Sequence, residues 1–122
     1  MYFQSISPVD NQLISNFNTH SATAIEKLLN QAEKAFLQWK KFNFQQKATI
    51  LQAVKTDLLA QKAEFANLIS LEMGKPISQA MTEIEKCANV LDFYCENAAN
   101  LLAEKKLNLP NLNAKICYEP LG

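Results

Sequence analysis

The sequence contains no arginine, because all twelve of its basic residues are lysine. Arginine is the usual residue for holding a carboxylate or phosphate through two parallel hydrogen bonds, so its absence argues against recognition of anions by side chains. The lysines are balanced by twelve acidic residues, which gives a formal net charge of zero. A neutral chain offers no basic field to nucleic acid, and we therefore expect no nucleic-acid partner.

Glycine is also scarce, with Gly74 and Gly122 as the only two. A glycine-rich phosphate loop cannot be built from them, and low glycine content favours helices. No apolar run approaches the roughly 18 residues of a membrane-spanning helix, so no membrane partner is expected. The chain opens without a charged and then apolar leader, and its three cysteines are an odd number. These features predict a cytoplasmic protein with reduced thiols.

Helical periodicity dominates the middle of the chain. Thr23 followed by Glu26 has the spacing of a capping box, which predicts that the first helix starts near residues 21–23. Apolar side chains then recur along one helical face, at Ile25, Leu28, Leu29, Ala32, Phe36 and Trp39. At this spacing we expect Phe36 and Trp39 to be core residues rather than a binding stripe.

A second helix is predicted at about residues 45–61, with its continuation at 64–73, and the longest helix at about residues 78–104. Gly74 suits the left-handed position that ends a helix, and Pro76 just beyond it stops the helix from continuing. The body of the chain is therefore predicted to be mostly α-helical.

The first residues predict an extended segment. Residues 1–5 resemble the remnant of a protease-cleavable purification tag and are set aside from the fold. Residues 6–18 are expected to form an extended segment or a short hairpin, because residues 8–11 have the composition of a turn.

The end of the chain predicts a β arm over residues 105–122. Polar and apolar residues alternate in two short strands around a turn at residues 110–113. The apolar strand positions are Leu107, Leu109, Ile116 and Tyr118. Open strand edges invite pairing with another chain, so we predict self-association through these four side chains and through an exposed helical face. A disordered tail is the alternative interpretation.

Few residues could carry chemistry. His20 lies in a polar loop before a helix and is interpreted as a surface residue rather than a general base. Cys87 and Cys95 are eight residues apart on the predicted apolar helix face, about 12 Å along the axis, so they cannot share a metal ion through that helix alone. Core packing is the simpler role for both. Cys117 has no nearby base in the sequence.

The carboxylates of the long helix are interpreted as a solvated face. They are Glu83, Glu85, Glu96 and Glu104. Lys86 stands three residues after Glu83, a spacing that favours a weak ion pair. The residues alone therefore predict no catalytic, cofactor-binding or metal-binding site.

Five segments in register resemble the aldehyde dehydrogenase family. Residues 7–13 are similar to the family's NPxTGE opening, residues 32–39 to its first helix, and residues 71–76 (LEMGKP) to a signature near its N-terminus. Residues 83–88 with 93–98 are similar to its EIEKCA…YYAENA pattern, and residues 118–122 (YEPLG) to its lead into the cofactor domain. The forms EKCA, ENA and YEPLG resemble the succinate-semialdehyde branch. Two positions depart from the usual pattern: Asn11 replaces a glycine and Lys47 replaces an arginine.

The resemblance implies an α/β enzyme with a cofactor domain, a catalytic domain and an oligomerisation arm. Such enzymes oxidise an aldehyde to an acid with NAD or NADP, using a cysteine nucleophile and a glutamate base. None of these functional residues matches a position in this chain, so the resemblance implies that it binds no cofactor itself. Residues 19–104 resemble the helices that pack on the cofactor domain, and residues 105–122 resemble a truncated arm.

Two hypotheses follow. The first is an N-terminal fragment of an NAD(P)-dependent aldehyde dehydrogenase, inactive alone, whose parent oxidises succinate semialdehyde. The alternative is a naturally truncated helical interaction module that self-associates or binds a full-length dehydrogenase subunit. A complete small enzyme is disfavoured, because the chain has no recognisable cofactor loop or base. Whether this chain is an enzyme is left open.

Overall fold

The computed structural model describes residues 2–110 and 112–121, and these form a helical body with a two-stranded antiparallel hairpin at each end. The elements in chain order are β1 (Tyr2–Ile6), β2 (Leu13–Asn18), α1 (Ala22–Trp39), α2 (Phe44–Ala60), α3 (Lys62–Met73), α4 (Ile77–Leu101), β3 (Lys105–Leu109) and β4 (Leu112–Ile116). This confirms the predicted fold class. Met1 of the tag-like segment, Asn111 of the arm turn and Gly122 of the YEPLG segment lie outside the described residues.

The N-cap of helix α1 is Ser21, two residues before the predicted cap Thr23. Ser21 has an extended backbone (φ −69°, ψ 158°), and its Oγ accepts a hydrogen bond from the amide of Ala24 at 3.2 Å. Thr23 lies inside the helix, so the prediction that Thr23 and Glu26 form the cap was wrong. The reason is geometric, because only a residue with extended backbone can turn its side chain onto the amide three residues later.

Helix α2 begins with the reciprocal form of that cap. The Asn43 side chain accepts from the amide of Gln46 at 2.8 Å, and the Gln46 side chain accepts from the amide of Asn43 at 2.9 Å. Two otherwise free amides are satisfied in this way, which fixes the start of α2 at Asn43.

Gly74 ends α3 as predicted. It adopts the left-handed conformation (φ 65°), and its amide donates to the carbonyl of Ser70 at 3.0 Å. Pro76 follows, and α4 begins directly after it. The long helix stops at Leu101 rather than near residue 104, because the next residues enter strand β3.

The core of the described chain is a seam of small residues along α4. Helices α2 and α3 both pack against this helix. The buried apolar residues are Ala66, Ala80, Ile84 and Ala88, and no large side chain among the described residues is fully buried. Helices with alanine at their contact can approach closely, but they remove little apolar surface from water. Much of the apolar surface of the chain therefore stays exposed.

The N-terminal hairpin includes residues that were set aside from the fold. Tyr2–Ile6 pairs antiparallel with Leu13–Asn18, and Phe3 stands opposite Phe17. Excluding residues 2–5 was wrong for the fold, because strand pairing needs only backbone groups in register and β1 supplies them. The hairpin predicted at residues 6–18 is real, but its first strand lies mostly before residue 6.

No helix of the described residues is long and apolar enough to cross a membrane.

Candidate interaction site

The C-terminal hairpin, β3 with β4, is an amphipathic ribbon. Its antiparallel register places Leu107 opposite Ala114 and Leu109 opposite Leu112. Successive side chains of a strand point to opposite faces, so every second residue shares a face. One face is mostly apolar and carries Leu107, Leu109, Leu112, Ala114 and Ile116, with Lys105 at its end opposite Ile116. The other face carries Lys106, Asn108, Asn113 and Lys115.

The apolar face of this hairpin is open to solvent. Its large side chains are between 41% and 60% exposed, at Leu107, Leu109, Leu112 and Ile116. Tyr118 is also exposed, but it lies two residues beyond the end of β4, so its predicted place on the strand was wrong. Leu112 was assigned to the turn, yet it is the first residue of β4. Leu112 pairs with Leu109, so the pairing of the two strands includes this residue.

A small charged cluster closes the base of the hairpin. The Nζ of Lys115 donates to Glu104 Oε1 at 2.7 Å, and the Cys117 thiol donates to the same oxygen at 3.4 Å. The bond from Lys115 is the main reason why the pKa of the Glu104 carboxyl lies below its ordinary value. Partial desolvation, followed by the bond to Glu104, raises the pKa of the Cys117 thiol. A thiol with a raised pKa is a poor nucleophile at neutral pH.

Helix α1 presents a second uncovered apolar surface. The described helix buries no residue, although its apolar side chains follow one face. The exposed ones include Ile25, Leu28, Leu29, Leu37 and Trp39. Trp39 and Phe42 form an open apolar groove with ring centroids 5.7 Å apart. The prediction that Trp39 is a core residue was wrong for this chain, because no other described element packs closely over that face.

The candidate chemical residues lie apart from one another. His20 is exposed in the loop before α1. Cys95 is half-buried on α4, and its thiol donates to the carbonyl of Ala48 at 3.7 Å. Cys87 is exposed, so the prediction of core packing was wrong for it. The buried seam of α4 is a narrow row at every fourth residue, and Cys87 falls beside that row.

The carboxylates of α4 are less free than predicted. Glu83 pairs with Lys75, and Glu85 pairs with Lys62. These ion pairs join α4 to α3 and to the loop between them, whereas Lys86 had been expected to pair with Glu83. A lysine from a packed neighbour reaches the carboxylate more directly than one on the same helix. Glu83 and Glu85 therefore help to align the helices, although ion pairs at a surface contribute little stability.

The described residues contain no glycine-rich loop. Gly74 is the only described glycine, and it lies at a helix C-terminus with Pro8 packed against it. Side chains of Ser21 and Asn43 cap the first amides of α1 and α2, whereas α3 and α4 begin without a side-chain cap. The described residues also contain no cluster of three or more His, Cys, Asp or Glu side chains that could hold a metal ion.

Comparisons with known proteins identify the family that shares this sequence and architecture. The aldehyde dehydrogenase family model matches residues 1–122. A probable succinate-semialdehyde dehydrogenase [NADP(+)] of Synechocystis is 33% identical over 122 residues, which cover 100% of this chain and 27% of that protein. A succinate semialdehyde dehydrogenase [NAD(P)+] of Escherichia coli is 36% identical over 118 residues, which cover 97% of this chain and 26% of that protein. The chain thus spans about a quarter of the length of these relatives.

Solved structures agree in fold. The structure of Gox0499 superimposes with a TM-score of 0.92 at 28% identity, over 99% of this chain and 27% of that one. The succinic semialdehyde dehydrogenase of Streptococcus pyogenes, solved in complex with NADP+, gives a TM-score of 0.85 at 23% identity, over 93% of this chain and 25% of that one. With a family match along its whole length, this chain belongs to the aldehyde dehydrogenase family and has the fold of its N-terminal part.

Proposed function

We propose that this chain is the N-terminal part of an NAD(P)-dependent aldehyde dehydrogenase that oxidises succinate semialdehyde to the acid, and that the chain has no dehydrogenase activity by itself. The observation that carries this proposal is the match of the entire chain to about a quarter of two proteins named as succinate-semialdehyde dehydrogenases. The second half of the proposal is supported by coverage, because the chain spans only 27% and 26% of the length of these two relatives.

The role proposed for this part of the enzyme is structural. Its seam of alanines holds α2, α3 and α4 together but leaves α1 without a buried residue. An exposed apolar helix face of this kind usually marks a surface that another part of the protein covers. We propose that the remainder of the enzyme, which would supply the cofactor and the reacting residues, covers the face of α1.

The test begins with the gene downstream of the codon for Gly122. The open reading frame is expected to continue, and its full product should reduce NAD+ or NADP+ when succinate semialdehyde is added, measured as absorbance of the reduced cofactor. The 122-residue chain should show no such activity under the same conditions. If the full-length product is inactive with succinate semialdehyde but active with another aldehyde, the proposed substrate is wrong and the proposed aldehyde dehydrogenase activity is retained.

Self-association of the chain forms part of the proposal. In the 122-residue chain by itself, where the remainder of the enzyme does not cover α1, the exposed face of α1 is proposed to pair with a second copy. The open ribbon of Leu107, Leu109 and Ile116, with Tyr118 beyond it, is proposed to take part in the same pairing. A hairpin with two free edges and one apolar face can extend a sheet from another chain without changing its own fold. Static light scattering of the purified chain measures this, and a monomer at high concentration would contradict it.

The second candidate is a naturally truncated interaction module. The largely exposed arm favours it, because such a ribbon is available to a full-length dehydrogenase subunit as well as to a second copy. A stop codon soon after Gly122 in the source gene, with co-purification of the chain and a full-length subunit, would make this candidate the leading one. Cytoplasmic localisation stays a prediction.

A further inference from the structure

Two distant parts of the chain meet at the end of α3. These are the turn between β1 and β2 and the residues around Gly74, which both belong to segments that carried the family resemblance. A Cβ placed on Gly74 would lie 3.2 Å from Cγ of Pro8 and 3.9 Å from Cγ2 of Val9. Beside this contact, the hydroxyl of Ser5 donates to Glu72 Oε1 at 2.7 Å.

The turn itself is stiffened from within. The amide of Ser7 donates to the carbonyl of Gln12 at 2.9 Å, and the amide of Asn11 donates to the carbonyl of Ser7 at 2.9 Å. Ser7 is 7% exposed, and its Oγ accepts from the amide of Val9 at 3.3 Å. Asn11 takes a positive φ of 58°, which asparagine tolerates better than most residues. The turn therefore presents Pro8 as part of a rigid surface.

The opposite surface is equally constrained. Gly74 has φ 65° and is fixed by its bond to Ser70, and α4 starts three residues later. A Cβ at this position would meet Pro8 Cγ more tightly than most side-chain contacts, and the left-handed φ would strain a larger residue, so glycine suits this contact. Strands β1 and β2 otherwise pack mainly on each other.

We propose that the turn at residues 7–12 and the end of α3 form a clip that holds the N-terminal hairpin on the helical body, with Gly74 as its positioning residue. The clip fixes the direction in which the hairpin projects its opposed pair Phe3 and Phe17, which are 63% and 53% exposed. This inference does not depend on the proposed enzymatic function, and it assigns a physical task to the LEMGKP segment.

The decisive variants separate backbone strain from side-chain contact. Asparagine accepts the left-handed conformation more readily than other non-glycine residues, so Gly74→Asn mainly adds a Cβ against Pro8. Hydrogen exchange of the β1 and β2 amides in the 122-residue chain should become about tenfold faster, the factor that matches about 1.4 kcal/mol. Adding Pro8→Ala removes the obstructing Cγ and should restore much of the protection.

The hydrogen bond supplies an independent control. Glu72→Ala removes the acceptor for Ser5 and should loosen the hairpin, whereas Glu72→Gln keeps an acceptor oxygen and should leave exchange nearly unchanged. The amides of α4 serve as an internal reference in every variant. Equal acceleration in α4 would show general unfolding, and unchanged hairpin amides in Gly74→Asn would show that the contact holds nothing; either result overturns the clip.

A cross-link tests the contact without relying on stability. The Cβ of Pro8 lies 4.0 Å from the Cβ position of Gly74, which is within the range of disulfides. With the three native cysteines replaced by serine, Pro8→Cys combined with Gly74→Cys should form an intramolecular disulfide under mild oxidation, detected by mass spectrometry. Failure to form it, when Pro8→Cys alone reacts freely with a thiol reagent, would also overturn the proposal.

Discussion

The Nζ of Lys55 on α2 lies 2.6 Å from a carboxylate oxygen of Asp92 on α4. Gln52, one helical turn earlier on α2, donates to the other oxygen at 3.1 Å. A carboxylate with two donors from one helix face fixes both the separation and the rotation of the helix pair. The bond from Lys55, and then the bond from Gln52, hold the pKa of Asp92 below its ordinary value of 3.8.

This contact predicts a pH-dependent difference between the chain and its Asp92→Asn variant. Because the folded-state pKa is lowered, the carboxylate stabilises the fold above pH 3.8, and this contribution is lost as the pH falls through the lower folded-state value. The variant should therefore be less stable at neutral pH, with a gap that closes in acid. Urea unfolding followed by circular dichroism across this range measures the gap.

The matched control for this experiment is Asp57→Asn, which removes an exposed carboxylate from α2. It should change the unfolding midpoint less than Asp92→Asn at neutral pH. A gap for Asp92→Asn that stays constant from neutral to acid would contradict the assignment.

The start of α1 predicts opposite outcomes for two neighbouring hydroxyl residues. Ser21→Ala removes the cap on the amide of Ala24 and should destabilise the first turn by about 1 kcal/mol. Thr23→Ala changes a residue inside the helix and should be neutral or slightly stabilising, because alanine is the better helix former. Amide exchange in residues 24–28 measures both, and a larger effect for Thr23→Ala would restore the cap inferred from the capping-box pattern.

The two faces of the β3–β4 hairpin predict different effects of an added charge on self-association. Leu107→Lys and Asn108→Lys add the same charge to adjacent strand residues on opposite faces. If the apolar face mediates self-association, Leu107→Lys should weaken it by about tenfold or more, since a buried leucine contributes about 2 kcal/mol. Asn108→Lys should leave it unchanged. Light scattering against the 13.7 kDa monomer mass decides between them, and equal effects would count against the apolar face.

The hydrogen bond between Cys117 and Glu104 predicts how a change at Glu104 alters the reactivity of the Cys117 thiol. The carboxylate helps to raise the pKa of Cys117, whereas the charge of Lys115 lowers it. Glu104→Gln removes the negative charge, so the pKa should fall and alkylation by iodoacetamide at mildly alkaline pH should be several-fold faster. Peptide mass spectrometry follows Cys117, with Cys87 in the same molecule as a reference. A slower reaction of Cys117 in the variant would reverse the assigned electrostatics.

Periodicity was sufficient to locate the helical stretches and the β arm, but residues 64–73 were interpreted as a continuation of the second helix and instead belong to the separate helix α3. Gly74 marked the end of α3 because its left-handed backbone is a local property of one residue. The apolar alternation predicted for β3 is also found in the structure, because the two faces of a strand are determined by adjacent residues.

The errors arose where a residue depends on what lies beside it. Thr23 has the right type for a cap, but Ser21 has the required backbone. Cys87 lies on a helix face that is apolar in the sequence, but the structure buries a narrower row there. The contact of Pro8 with Gly74 could not be inferred from the sequence, because no local signal joins residues 66 positions apart.

The alanine seam gives this chain an uneven response to mutation. Ala66 and Ala80 are 0% exposed and Ala88 is 2% exposed, and Ile84, at 5%, is the one larger side chain among the buried apolar residues. Truncating substitutions, which usually weaken a protein by opening cavities, have almost nothing to remove at the three alanines and act mainly at Ile84. Larger side chains at these positions should destabilise the fold, because the added methyl groups must push the packed helices apart. Natural or laboratory variation should therefore be filtered at this seam by size alone, with glycine and serine accepted more readily than valine.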